Sequence, residues 1–203
     1  MATHKNTKQH TMIVTLLLFS IGLLFSSNTF ALFTHQIGET YGGGKVFYVY
    51  DGGLHGLIAA LADQGPSNGT QWDNGDSKLT GTTGDGVGAG AMNTVIIAAT
   101  QLDDDEDDEM DDTPNGKFAA KRCADYSVKG ADGVTYGDWY LPSKAELNLL
   151  YKQKAVVGGF ANATYWSSTE TSSNNAWSQY FLNGQQGNNR KFKPFRVRAI
   201  RAF

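Results

Sequence analysis

The sequence predicts an α+β fold, with helices packed on a small antiparallel sheet. Three observations carry that expectation. Two apolar runs flank Asp51-Gly52-Gly53 as in a hairpin, helical periodicities fill the middle of the chain, and strand-like alternation follows Tyr165. Strands and helices therefore come in blocks. A parallel sheet would instead alternate them one by one.

The first element is an export signal. Lys5 and Lys8 form a basic start, Met12–Phe25 is an apolar stretch, and Thr29-Phe30-Ala31 offers a small-residue cleavage site. The apolar stretch is shorter than the roughly 20 residues a membrane span needs. Cleavage after Ala31 would leave residues 32–203 as a single domain with no transmembrane span, in the periplasm, on the cell surface or secreted. Lipid anchoring needs a cysteine just past the cleavage point, and Cys123 is the sole cysteine. An internal disulfide is excluded for the same reason.

Of 203 residues, 40% are apolar and 18% charged, with 24 glycines and four prolines. This is a globular composition, not that of a disordered chain, a collagen rod or a coiled coil. The net charge of −3 argues against nucleic acid as a partner. It conceals an uneven distribution: nine acids crowd Asp103–Asp112, whereas residues 171–203 hold six bases and no acid.

After the hairpin, a glycine-rich stretch from Gly65 to Gly90 has Trp72 as its large apolar anchor, and should pack on itself or carry function. In Ala91–Leu102, Met92, Val95, Ile96 and Ala99 recur at helical spacing and predict a helix. Gly116–Tyr126 puts Ala119, Cys123 and Tyr126 on one helical face, with Cys123 as a buried side chain. Ser143 and Glu146 form a capping box that starts a helix whose inner face is Leu147, Leu150 and Tyr151. Three strand-like segments follow: 165–170, 176–182 and 191–203. In the second, alternation puts Trp177 and Phe181 in the core and turns Ser178, Tyr180 and Leu182 outward. Trp139 and Trp166 should also be core. Arg196, Arg198 and Arg201 should pair with carboxylates or carbonyls around the last strand.

Several motifs occur in a familiar order: Tyr41-Gly42-Gly43-Gly44 with Val46-Phe47-Tyr48, Asp138-Trp139-Tyr140-Leu141-Pro142-Ser143 with Glu146-Leu147, Tyr165-Trp166-Ser167-Ser168-Thr169-Glu170, Ala176-Trp177, and Arg196-Val197-Arg198-Ala199-Ile200-Arg201. The chain in this respect resembles the C-terminal domain of bacterial collagen-like adhesins. It is similar also to the target proteins of diversity-generating retroelements, whose C-terminal segment is hypermutated. The resemblance covers nearly all of 37–203 and implies a C-type-lectin-like fold used as a binding scaffold. No collagen repeat precedes the motifs, so a stalk-borne trimer is not expected, and the acidic run looks like an insertion.

The expected ligand surface lies in the C-terminal segment, which holds five asparagines in its 33 residues. It comprises Ser172, Ser173, Asn174 and Asn175, then Ser178, Tyr180 and Leu182. Asn183, Gln185, Gln186, Asn188, Asn189, Arg190, Lys191, Phe192, Lys193 and Phe195 complete it. Such side chains make adaptable hydrogen bonds and stacking contacts. The excess of bases favours an anionic glycan or an acidic protein face. The alternative is a structural or assembly protein of the cell envelope.

No cofactor and no enzymatic activity are expected. Only His35 and His55 follow the cleavage site, with no nucleophile arrangement for either to serve. The acidic run lacks the glycine and glutamate of an EF-hand, since Asp108 and Pro114 stand at those positions. It reads as a solvated loop, with weak calcium binding left open.

Overall fold

A type I′-like turn opens the described fold. Gly42 and Gly43 have φ of 55° and 81°, conformations that side chains resist. They join β1 (Thr40–Tyr41) to β2 (Gly44–Tyr50), and β2 pairs antiparallel with β3 (His55–Ala59). The computed structural model describes residues 33–102 and 117–203. The export signal over residues 1–31 and the acidic run Asp103–Asp112 lie outside them. The chain divides after Ala31, and Leu32–Phe203 is one compact unit.

The last strand, β9 (Ile200–Ala202), adds to β3, giving a sheet ordered β1-β2-β3-β9 that unites the two ends of this unit. Side chains alternate across it, so Val46 and Ile58 enter one apolar cluster while Phe47, Leu57 and Ala59 enter another. The sheet is buried on both faces. Trp72, Trp139 and Trp166 belong to the first cluster, as expected of them. Leu147, Leu150, Tyr165 and Phe181 belong to the second.

The helices are α1 (Ala89–Leu102), α2 (Ala119–Ala124), α3 (Lys144–Lys152) and α4 (Lys154–Val157). Between α2 and α3, β4 (Val128–Lys129) and β5 (Thr135–Tyr136) form a two-stranded ribbon. Cys123 is fully buried on α2, and burial pushes its thiol pKa up. The capping box at α3 forms as the sequence predicts: the Ser143 hydroxyl accepts from the Glu146 amide, and the Glu146 carboxylate accepts from the Ser143 amide.

The second sheet is β6 (Thr164–Ser172), β7 (Asn175–Tyr180) and β8 (Gln186–Arg190), in that order. Its third strand comes from the polar Gln186–Arg190 stretch. Much of 191–203, expected as a strand, instead runs irregularly and makes isolated bridges from Phe195 to Thr70 and from Arg196 to Tyr165. The architecture is thus small antiparallel sheets with a few helices. Among the described residues, no helix is long and apolar enough to cross a membrane.

The helix read over 91–102 forms as α1, but its apolar spacing does not mark its buried face. The α1 helix exposes Met92 at 63% and Val95 at 64%, and leaves Ile96 and Ala99 at the surface. It buries Gly90, Asn93, Thr94, Ile97 and Gln101 instead. Asn93 Nδ2 donates to Gly84 O, and Thr94 Oγ1 accepts from Leu141 N at 2.9 Å. The polar face turns inward because it satisfies backbone groups of two loops that would otherwise be buried unpaired.

Candidate ligand-binding surface

The β7–β8 register fixes which residues share a face. Asn175 pairs with Arg190, Trp177 with Asn188, and Gln179 with Gln186. Because side chains alternate and paired residues point the same way, these six lie on one face. Ala176 opposite Asn189 and Ser178 opposite Gly187 lie on the other. The first face receives α3 at one end. There Gln179 Nε2 donates to Asn148 Oδ1 at 3.0 Å, and Gln186 Nε2 donates to Lys144 O at 3.0 Å. The Lys144 ammonium stands 3.6 Å above the Trp177 ring. Beyond Trp177 this face is open: Asn188 and Arg190 are exposed, and Thr171 Oγ1 donates to Asn188 Oδ1.

This arrangement corrects the expected register. Trp177 is half-buried, not core, whereas Ser178 is 2% exposed and cannot face a ligand. The reason is that both faces of this sheet are packed. Ala176 enters the central core on one side and Gln179 is fully buried under α3 on the other, so simple alternation between core and solvent does not apply.

The other expected site residues divide by position. Asn174, Leu182, Asn183, Gln185, Asn188, Arg190 and Phe192 are exposed. Ser172, Ser173, Asn175, Tyr180, Gln186, Asn189, Lys193 and Phe195 are half-buried. Lys193 Nζ donates to Asn189 Oδ1 at 3.0 Å, and the Asn189 amide donates to Ser178 Oγ, so these three form a ladder across β8. Phe195 stacks obliquely on Trp166 at 4.6 Å and belongs to the core margin.

Lys191 is the clearest departure. It is 1% exposed, donates to Glu170 Oε1 at 2.5 Å and to Lys78 O at 2.8 Å, and its ammonium lies 4.3 Å from the Trp72 ring centre. Burial drives its pKa below the usual lysine value, against the pull of Glu170. An interior ammonium of this kind is a structural latch and offers nothing to a ligand in solution.

The basic tail is likewise mostly satisfied within the protein. Arg196 and Arg198 both bind Asp63, at 3.1 and 2.7 Å. Arg198 also donates to the carbonyls of Ala60 and Gly159. Arg201 makes a two-pronged pair with Asp138, at 2.7 and 2.9 Å, which holds that carboxyl below the usual range. The expected pairing of these three arginines is what the structure displays. Counted with Lys191, four of the six C-terminal bases pair with internal carboxylates; Lys193 is half-buried and held by Asn189, which leaves Arg190 as the exposed one. A tail with six bases and no acid could itself have signalled partners elsewhere in the chain. Asp63 and Asp138 are two of the eleven acids outside the acidic run.

Among the described residues, no group of His, Cys, Asp or Glu is placed to hold a metal ion. His35 Nδ1 donates to Glu39 Oε1 at 2.9 Å, and its ring stacks on Tyr41. No curated protein matches the chain. A family model does: the Lcl C-terminal domain matches residues 67–201, more than half of the chain. The chain belongs to the Lcl C-terminal domain family. The match starts within the glycine-rich loop and ends on β9, so it takes in both the Lys191–Glu170 latch and the β7–β8 face. Membership fits the resemblance drawn from the motifs.

Proposed function

We propose that this protein is an exported, adhesin-like binding module whose ligand surface is the open face of β7–β8 and its flanking turns. One observation carries the reading. Trp177, Asn175, Asn188 and Arg190 stand side by side on a regular strand pair whose opposite face is anchored in the core. A rigid sheet that displays an aromatic ring among amides suits recognition through hydrogen bonds and stacking, at low entropic cost. Leu182 and Asn183 at the β7–β8 turn, and Phe192 beyond β8, extend the surface. Family membership supports the adhesin-like class, and the C-type-lectin-like scaffold and retroelement diversification belong to the same proposal. Binding rather than turnover is the function intended.

Internal pairing of four bases shifts the expected ligand toward a polar glycan or protein surface, with Arg190 as the main contact for negative charge. The test is an array of glycans and candidate proteins probed with the wild type, Trp177→Ala and Arg190→Gln. Loss of binding in both variants, with near-native melting, is the expected result. Undiminished binding by the pair would remove this face from consideration. A specific observation favours the assembly alternative as well: among the described residues β8 is an edge strand, paired with β7 on one side alone. Stable strand addition by an envelope partner, blocking the array ligand, would establish that alternative.

A further inference from the structure

On the side of the molecule formed by α2, two clefts meet at one arginine. The larger, about 370 Å³, is lined by Asp63, Gln64, Gly65 and Tyr126 together with Lys117 and Arg122. The smaller, about 240 Å³, lies between Thr70, Asp73, Phe118 and Pro194 and shares Lys117 and Arg122. The larger has the volume of a small-molecule site. Neither contains a residue of the β7–β8 face.

The charge balance of this region is uneven in a telling way. Both carboxylates of the larger cleft are already engaged, Asp63 by Arg196 and Arg198 and Asp125 by Lys121; in the smaller cleft Asp73 is 3% exposed, accepts from the Gly75 amide, and has its pKa raised by burial. Arg122 uses Nε on Lys117 O at 2.9 Å, and its two outer nitrogens have no partner among the described residues. Nor has the Lys117 ammonium. The phenol of Tyr126 makes no hydrogen bond there either, while its ring packs edge-on against Trp139 at 5.2 Å. In the smaller cleft Thr70 is 6% exposed, and its hydroxyl oxygen is buried without a partner. A buried hydroxyl left unpaired is costly and uncommon, and it marks a place where a polar atom is missing.

Gly65 keeps the junction open. A Cβ at that position would lie 2.8 Å from Thr70 Oγ1 and 2.9 Å from Arg122 Cδ. Its φ of +108° also disfavours any other residue. The Nε contact with Lys117 O holds the guanidinium plane in a set direction with its outer edge free. That edge is the fork that takes a carboxylate through two parallel bonds. Aromatic and proline walls with hydroxyl groups suit a compact ligand carrying hydroxyls beside the acid.

We propose that the paired clefts around Arg122 bind a small hydroxylated organic carboxylate, gripped by the Arg122 fork and Lys117, with Tyr126 and Thr70 meeting its hydroxyls. The site is separate from the β7–β8 surface and stands whether or not that surface binds anything. D-glucuronate is the probe, with D-glucose as its uncharged counterpart and inorganic sulfate as a non-planar anion. Each is titrated into the isotope-labelled full chain and followed by nuclear magnetic resonance. Glucuronate is expected to shift the amides of Thr70, Phe118 and Arg122, with much weaker effects from glucose and sulfate. Arg122→Lys keeps the charge and loses the fork, and should raise the dissociation constant at least tenfold; Tyr126→Phe should raise it several-fold. Lys152→Gln, exposed at the end of α3 and in neither cleft, should leave it unchanged, and thermal melts establish that each variant is folded. Equal binding of glucose or sulfate, shifts confined to Arg190 and Lys193, or undiminished affinity in Arg122→Lys would each overturn the proposal.

Discussion

Lys191 and Glu170 form an ion pair in which both side chains are 1% exposed. The pair does more than join two strands. Glu170 also accepts from the amides of Thr80 and Gly81, and Lys191 donates to Lys78 O, so residues 78–81 are tied down from both sides. Removing one partner of a buried pair leaves the other uncompensated, at a cost of about 3–5 kcal/mol. Lys191→Ala should therefore lower stability by about that amount in urea unfolding, with little dependence on salt. A surface lysine would show the reverse, near-native stability with salt-sensitive ligand binding.

Two tryptophans one strand apart should respond very differently. Trp166 is fully buried and its Nε1 donates to Thr70 O at 3.0 Å. Trp166→Ala should cost about 3–5 kcal/mol, the range for a large buried aromatic. Trp177 is half-buried, and its specific contact is the Lys144 ammonium. Trp177→Ala should cost only about 1–2 kcal/mol, the sum of partial burial and one partly exposed cation–π contact. Comparable losses in the two variants would return Trp177 to the core.

Glu146 gives the fold a pH dependence of defined sign. Burial holds its carboxyl above the ordinary value of 4.5, opposed by the amides of Ser143 and Gly88. The native state then binds this proton more tightly than the unfolded chain does. The associated stabilisation is complete below the unfolded value, and is lost as pH rises through the raised native one. Glu146→Gln has no proton to lose but places an amide where an oxygen accepts from Ser143 N at 2.7 Å. It should be less stable throughout, and the gap to wild type should narrow as pH rises above about 4.5. Urea midpoints for both proteins across that range decide the matter; a constant gap would mean that Glu146 does not titrate there.

The parts of this fold that could be read from the sequence are those where one local rule acts alone. The Ser143–Glu146 capping box and the glycine turn before Val46 each depend on neighbours a few residues away, and the burial of Cys123 follows from the general preference of a free cysteine for the core. Trp177 defeated the period-two rule because its sheet is packed on both sides, by the core and by α3. Lys191 was misplaced for a different reason. Its partners Glu170 and Lys78 are 21 and 113 residues away, and nothing in Arg190-Lys191-Phe192-Lys193 distinguishes the buried lysine from the exposed positions beside it. Alternation in 176–182 thus predicts a strand there, but not which of its faces is packed.

The α1 helix supplies the sharpest test of that lesson, because its apolar stripe and its buried stripe are different faces. Thr94 Oγ1 lies between two buried groups, donating to Gly90 O at 2.7 Å and accepting from Leu141 N at 2.9 Å. Thr94→Val keeps the shape and removes the acceptor, leaving the Leu141 amide unpaired inside the protein. A buried donor stranded in this way costs about 1–3 kcal/mol. Val95, one position on, is mostly exposed, so Val95→Lys should change stability by no more than about 0.5 kcal/mol, and the straighter side chain suits a helix slightly better. The hydrophobic pattern alone predicts the opposite ranking, with the lysine ruinous and the valine at 94 harmless or favourable. Thermal melts of these two variants, differing by a single position on one helix, therefore separate a face chosen by hydropathy from one chosen by hydrogen bonding to loops.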